Sequence, residues 1–173
     1  MENKAVIVYK SCTGFTKKYA ELIAKETGSA LEELQKASAE SLSPYQTVVF
    51  GGRLHAGHID GWQRAKAMAQ KGGARQIILF AVGAMPNTAE GTIAEMWKNN
   101  LSAEEMEHIP HFYMQGGLSY ERMGFLDKAM MKAAAAVMSR RSDDEVFKKM
   151  ISQSYDISSE EFIRPLVGVL KSD

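Results

Sequence analysis

The chain has 173 residues, 45% of them hydrophobic and 24% charged, with 21 basic and 21 acidic side chains and a formal net charge of zero. That length suits one α/β domain over 1–173, the composition argues against disorder, and the balanced charge gives no sign of a nucleic-acid partner. One cysteine, Cys12, leaves no internal disulfide framework, the apolar run after Met1 to Lys4 is too short for a secretory leader, and no stretch approaches a membrane span, so the expectation is a cytoplasmic protein.

Ala5-Val6-Ile7-Val8-Tyr9 is an unbroken, β-branched run, the pattern of a strand buried on both faces. Lys10 to Thr16 forms a turn. Lys17 to Thr27 then reads as a helix with Tyr19, Ala20, Ile23 and Ala24 on one face and Gly28 as its stop. Ser29 to Leu34 reads as a short edge strand. Thr47 to Gly51 is a second buried strand, followed by a glycine-containing loop to His58 and a helix from Asp60 to Lys71, ended by Gly72-Gly73. Gln76 to Val82 is the next strand, with a loop to Asn87 and a helix from Thr88 to Asn99; His111 to Gln115 is another. Ser158 to Lys171 closes the chain as a helix, with Ser158 and Glu161 at capping-box spacing and Pro165 expected to kink it or delay its start. This alternation predicts a parallel sheet with helices on both faces and a ligand site beyond the carboxyl ends of the strands.

The first such loop, Lys10-Ser11-Cys12-Thr13-Gly14-Phe15-Thr16, places three hydroxyls around a glycine at a helix start. A phosphate needs many donors and a positive field, and hydroxyls, backbone N–H groups and the helix dipole supply both. An ordinary helix cap needs only one hydroxyl. A Walker loop is excluded by the missing Gly-Lys-Ser/Thr end. A phosphatase loop built on Cys12 is disfavoured because no arginine closes it.

The stretch Ile7-Val8-Tyr9-Lys10-Ser11-Cys12-Thr13-Gly14-Phe15-Thr16-Lys17-Lys18-Tyr19-Ala20 resembles the flavodoxin N-terminal signature: an apolar pair, an aromatic, Ser/Thr, a small residue, Thr and a downstream Ala. The resemblance implies a flavodoxin-like three-layer α/β sandwich, with a five-stranded parallel sheet in the order 2-1-3-4-5 and FMN at its carboxyl edge. It assigns the phosphate to the loop Ser11, Cys12, Thr13, Gly14, Phe15 and Thr16, with Ser11, Thr13, Gly14 and Thr16 as the motif positions. It assigns one flavin face to Gly52, Arg53, Leu54, His55, Ala56 and Gly57. The other face and the pyrimidine edge fall to Val82, Gly83, Ala84 and Met85.

Three features depart from small flavodoxins. The flavin loops offer no Trp or Tyr to stack on the ring. The net charge is zero instead of acidic, which removes the usual means of docking on a basic redox protein. An insertion of roughly 117–157 follows the last strand region. Its pattern Gly-Gly-Leu-x-Tyr-x-x-x-Gly-Phe-x-Asp-Lys, Gly116 to Lys128, resembles flavodoxin-fold protoporphyrinogen oxidases that use menaquinone. Within it, Met123, Phe125, Leu126, Met130, Met131 and Met138 are interleaved with Arg122, Lys128, Lys132, Arg140 and Arg141. Three uses stay open for the 122–141 segment: peripheral contact with an anionic membrane, binding of a planar apolar substrate, or cover for the sheet edge or a second subunit. The run Ala133 to Ala136 favours close helix packing.

Single residues complete the reading. His55 and His58 are candidates for positioning substrate or shuttling a proton. Arg53 suits a phosphate, a substrate carboxylate or a surface ion pair. His108 and His111 form no recognisable metal set, and Trp62 and Trp97 are expected in the core. The expected function is an FMN-dependent oxidoreductase exchanging electrons with a quinone or small molecule. The alternative is a flavodoxin carrier that serves a redox protein and has no substrate of its own.

Overall fold

A computed structural model describes residues 5–141, 143 and 145–172 of the chain; the stretch Met1 to Lys4 read above lies outside them. In chain order the elements are β1 (Ala5–Lys10), α1 (Phe15–Thr27), β2 (Ala30–Glu33), α2 (Ala39–Leu42), β3 (Thr47–His55), β4 (His58–Ile59), α3 (Trp62–Lys71) and β5 (Gln76–Gly83). There follow α4 (Glu90–Asn100), α5 (Ala103–His108), β6 (His111–Gln115), β7 (Gly117–Leu118), α6 (Phe125–Arg141), α7 (Glu145–Ile151), β8 (Tyr155–Asp156) and α8 (Arg164–Ser172). The main sheet runs β2-β1-β3-β5-β6, and these five strands are parallel throughout. The fold and strand order are those the sequence resemblance implied, with β4 added as a short antiparallel arm on β3.

The unbroken apolar runs are explained by two cores. Successive residues of a strand point to opposite faces. Val6, Val8, Val48, Phe50 and Leu79 bury against Trp62, Ala65, Met96 and Trp97 on one side. Ile7, Val49, Ile78, Phe80 and Met114 bury against Tyr19, Ala20, Ile23 and Leu166 on the other. Register aligns Ile7 with Val49 and Val49 with Ile78, so the second core crosses the sheet as one row. Trp62 and Trp97 are core residues, as expected.

Several boundaries shift. β3 runs through Gly51-Gly52 to His55, so the residues expected in a loop are mostly strand. Gly51 is there because the ring of Phe80 lies over it: a Cβ on Gly51 would sit 2.0 Å from Phe80 Cζ. Ser158 is not the final helix's cap. It accepts a hydrogen bond from Lys18 and donates one to Asp156, while Ser159 caps a 3-10 turn over Glu160–Ile163. α8 then starts at Arg164, delayed as Pro165 required. Of the alanines in 133–136 only Ala135 is buried, so this run does not make the close helix packing expected of it.

The segment between β7 and β8 leaves and returns at one place. Gly117 pairs with Asp156 and Leu118 with Tyr155. Gly117 has φ +157°, and a Cβ on it would lie 2.1 Å from the Tyr155 carbonyl oxygen, so only glycine permits this ribbon. Tyr120, buried, donates to the Ile151 carbonyl at 2.7 Å and pins the far end of α7.

Gly51→Ala is expected to destabilise the fold by about 1–3 kcal/mol through overpacking against Phe80. Adding Phe80→Leu should recover part of the loss. Urea unfolding of the single and double variants measures both, and a neutral single variant would contradict the close approach.

Candidate functional site

β1 delivers the chain to the carboxyl edge at Lys10, and α1 begins at Phe15. Gly14 is the N-cap in the left-handed region, φ 96°, and no side chain caps the helix. The Ser11 hydroxyl instead accepts from the Gly14 N–H at 3.1 Å, which folds the loop on itself. The N–H groups of the first helical turn are left with no capping side chain, and Thr16, 1% exposed, is buried among them. A helix N-terminus in that condition is an anion site. Cys12 is exposed.

The second candidate segment is a hairpin, not an open loop. His55 pairs with His58 across a two-residue turn of Ala56 and Gly57, both with positive φ, 49° and 81°. This is the twist a tight hairpin requires, and for Ala56 it is a strained conformation. Asn100 at the end of α4 holds the arm, accepting from the Ile59 N–H at 2.8 Å and donating to the Gly57 carbonyl at 2.9 Å. The third segment is clamped from β6. Tyr113 donates to the Met85 carbonyl at 2.8 Å, and Asn87 accepts from the Gln115 N–H at 2.9 Å. Burial raises Tyr113 well above the usual phenol range. Tyr19 of α1 donates to the Gln115 carbonyl, and burial pushes its phenol up to about 12.

These three segments enclose a cavity of about 330 Å³. Thr13, Phe15 and Thr16 form one end. Arg53, Leu54, His55 and Ala56 form one side, and Val82, Gly83 and Ala84 the other. The insertion supplies the rest: Gly117, Leu118, Met123, Asp127, Met130, Met131 and Ala134. The walls therefore carry methionine and leucine, with Phe15 the one Phe, Tyr or Trp among the described residues. The other expected positions fall elsewhere. Gly52 is buried in β3 beneath Ile59 and Asp60. Met85 and Gly57 line a neighbouring depression on the α4 side. Gly14 faces a larger groove of about 800 Å³ between the start of α1 and the β7–β8 ribbon.

A chain of charges joins strand to insertion. Lys10 Nζ lies 2.7 Å from Asp60, Arg53 Nε 3.4 Å from the same carboxylate, and Arg53 Nη1 2.9 Å from Asp127 on α6. His55 Nε2 is buried 3.4 Å from an Asp127 carboxylate oxygen, within ion-pair distance but not aligned for a hydrogen bond. Burial alone would raise the Asp60 carboxyl, but the hydrogen bonds and charges of Lys10 and then Arg53 outweigh it and hold it below the usual range. Asp60, Asp127 and the cavity-facing methionines were not assigned to the site from sequence. Met123, Met130 and Met131 were visible as an apolar pattern, but nothing in the pattern said which of them turn inward.

A family model described as flavodoxin domain matches residues 6–145. No curated protein matches the chain in sequence. Among solved structures, the flavodoxin, WrbA-like protein from Agrobacterium tumefaciens is 18% identical, with 81% of this chain and 99% of that one covered and a TM-score of 0.43. Oxidised Flavodoxin 2 from Bacillus cereus is 19% identical over 80% of this chain and 99% of that one, with a TM-score of 0.38. A flavoprotein in complex with FMN from Lactobacillus acidophilus is 17% identical over 65% and 92%, with a TM-score of 0.43. Likeness at this level carries no argument about chemistry.

The charge chain has a pH signature. Because the folded Asp60 pKa is lowered, its stabilising contribution is complete above the unfolded carboxyl value of about 3.9 and is lost as pH falls through the lower folded value. Asp60→Asn should cost about 1–2 kcal/mol near neutrality and flatten the acid limb of the stability curve. Urea unfolding across pH 2–7 tests this; curves that stay parallel below about pH 4 would refute it.

Proposed function

The chain belongs to the flavodoxin domain family, and we propose that it is an FMN-binding oxidoreductase that exchanges electrons between its flavin and a small molecule or quinone. The observation that carries this is the cavity at the carboxyl edge, with an uncapped helix N-terminus at one end and an apolar roof at the other. The residues fit the cofactor. The first turn of α1, with Thr13 and Thr16, offers donors to the phosphate, and the space between the β3–β4 hairpin and Val82 to Ala84 suits the ring system. His55 lines the same side of the cavity, with its Nε2 beside the Asp127 carboxylate. FMN would supply a group able to accept or release one or two electrons; the protein binds it, shields it from water and limits what reaches it.

An insertion lying over the site distinguishes this reading from a carrier. A carrier exposes its flavin edge to a protein partner, whereas here Met123, Met130 and Met131 add an adaptable apolar wall to the cavity. The finer reading is a protoporphyrinogen oxidase-like enzyme that passes electrons to a quinone, supported by the resemblance of Gly116 to Lys128. The outer face of α6 fits a quinone drawn from a lipid surface. Phe125 is 86% and Leu126 77% exposed, and residues 122–141 carry five basic side chains against one acid. No helix of the described residues is long and apolar enough to cross a membrane.

Purified protein should be yellow, releasing FMN on denaturation. Thr13→Val with Thr16→Val should lose about 1.5–3 kcal/mol of FMN binding for each charged hydrogen bond removed, measured by flavin fluorescence and with circular dichroism to check folding. Colourless protein that takes up no FMN would defeat the reading. Anaerobic protoporphyrinogen should bleach the flavin and a menaquinone analogue restore it. Bleaching only by a reductase protein would favour the carrier.

Flotation with vesicles rich in anionic lipid should capture the protein, and Phe125→Ser with Leu126→Ser should abolish capture. Equal capture of both proteins would exclude α6 as the contact.

A further inference from the structure

The cations around the α1 N-terminus are, with one exception, already committed. Lys10 pairs with Asp60, Lys17 lies 3.9 Å from Glu21, Lys18 lies 3.1 Å from Asp156, and Arg53 is held by Asp60 and Asp127. Arg122 stands apart. Among the described residues it faces no carboxylate at ion-pair distance, and its one side-chain hydrogen bond is a long one, 3.4 Å, from Nη1 to the carbonyl of Thr13. The guanidinium lies directly on the N-cap glycine: a Cβ on Gly14 would stand 2.6 Å from Arg122 Nη1. Arg122 lines the groove of about 800 Å³ next to the cavity, and the two share Thr13, Phe15 and Leu118. A guanidinium carries five N–H donors in a fixed fork that matches phosphate oxygens, and most of these are unused here.

The backbone beneath Arg122 is fixed. Its N–H donates to the Ser119 carbonyl at 3.2 Å, and the adjacent Tyr120 is buried and bonded to both Ser154 and Ile151. Glu121, the nearest acid in sequence, is taken up by the Ser154 hydroxyl at 2.6 Å. The Arg122 side chain itself is exposed, so its guanidinium reaches Gly14 from solvent on a backbone that is held in place.

We propose that Arg122 is a phosphate clamp: the insertion reaches back over the α1 N-terminus and supplies the side-chain cation that selects FMN over riboflavin. The inference rests on the FMN reading above and adds to it a residue outside the signature loop. The helix N-terminus contributes about half a positive charge, too little alone to balance a terminal phosphate carrying close to two negative charges. Arg122 brings a full charge with bidentate geometry. It also ties the cofactor to the insertion, because Arg122 precedes the first residue of α6 by three positions.

The test is binding of FMN and of riboflavin, read by quenching of flavin fluorescence, for the wild-type protein, Arg122→Gln and Arg122→Lys. Arg122→Gln should weaken FMN roughly three- to fivefold, the effect of one exposed charge-assisted contact, and leave riboflavin unchanged within error. Arg122→Lys should fall between, keeping the charge but losing the fork, and the salt dependence of FMN binding should shrink in Arg122→Gln. Arg122→Gln with an unchanged FMN-to-riboflavin ratio would overturn the clamp while leaving the FMN reading intact. Wild-type protein that binds neither flavin would overturn both.

Discussion

Burial of a parallel sheet on both faces is the constraint from which the rest follows. Parallel neighbours cannot be joined by tight turns, so each of β1, β3 and β5 hands the chain to a helix from the same edge. Ile7, Val49 and Ile78 align in one buried row, so those three exits are held at fixed separation. The site is therefore assembled by the core. Thr16, Arg53 and Gly83 line one cavity because their strands are locked together several residues earlier.

What the sheet edge leaves open, the insertion covers. It is fenced by the β7–β8 ribbon and fastened over the cavity by the Arg53–Asp127 ion pair, 74 residues apart in sequence. Both side chains of that pair are only 20% and 26% exposed, and Arg53 is shared with Asp60, which is itself held by Lys10. A chain of alternating charges on partly buried groups is stiffer than an isolated surface pair, since each side chain's freedom is already spent on the next. The fastening acts at one end only. Farther along α6 the outward side chains Val137 and Met138 are about half exposed, and Ala135 is the buried contact.

The fold was legible because its evidence is local. Val6 to Tyr9 can be read as a strand buried on both faces without knowing what covers it, and Gly28 ends α1 in the left-handed conformation that glycine supplies. Where sequence reading fell short, long-range packing was decisive. Gly51-Gly52 looks like punctuation, yet β3 continues because one glycine makes room for Phe80 and the other for Ile59 and Asp60. The short helices α2 and α5 went unread although Ser102 and Glu105 form a capping box at the expected spacing, a signal the sequence did contain. The phosphate-loop residues stood out because hydroxyls and glycine cluster within six positions. Asp127 and Arg122 did not, since their meaning depends on Arg53 and Gly14, partners far away in the chain.

The size of the cavity adds a further step. At about 330 Å³ it is near the lower end of ligand-binding pockets, which run from about 300 to 1,000 Å³. Met123, Met130 and Met131 form part of its lining, and Met130 is at the same time 54% exposed. Small flavodoxins stack aromatic rings on the flavin; the cavity here is lined instead by flexible thioethers from α6 and the turn before it. Methionines lose little on rearranging, because unbranched side chains refill an irregular surface in many ways. The Arg53–Asp127 ion pair holds the first turn of that helix to β3 beside the cavity, so the thioethers are carried on a segment whose position is set at that point.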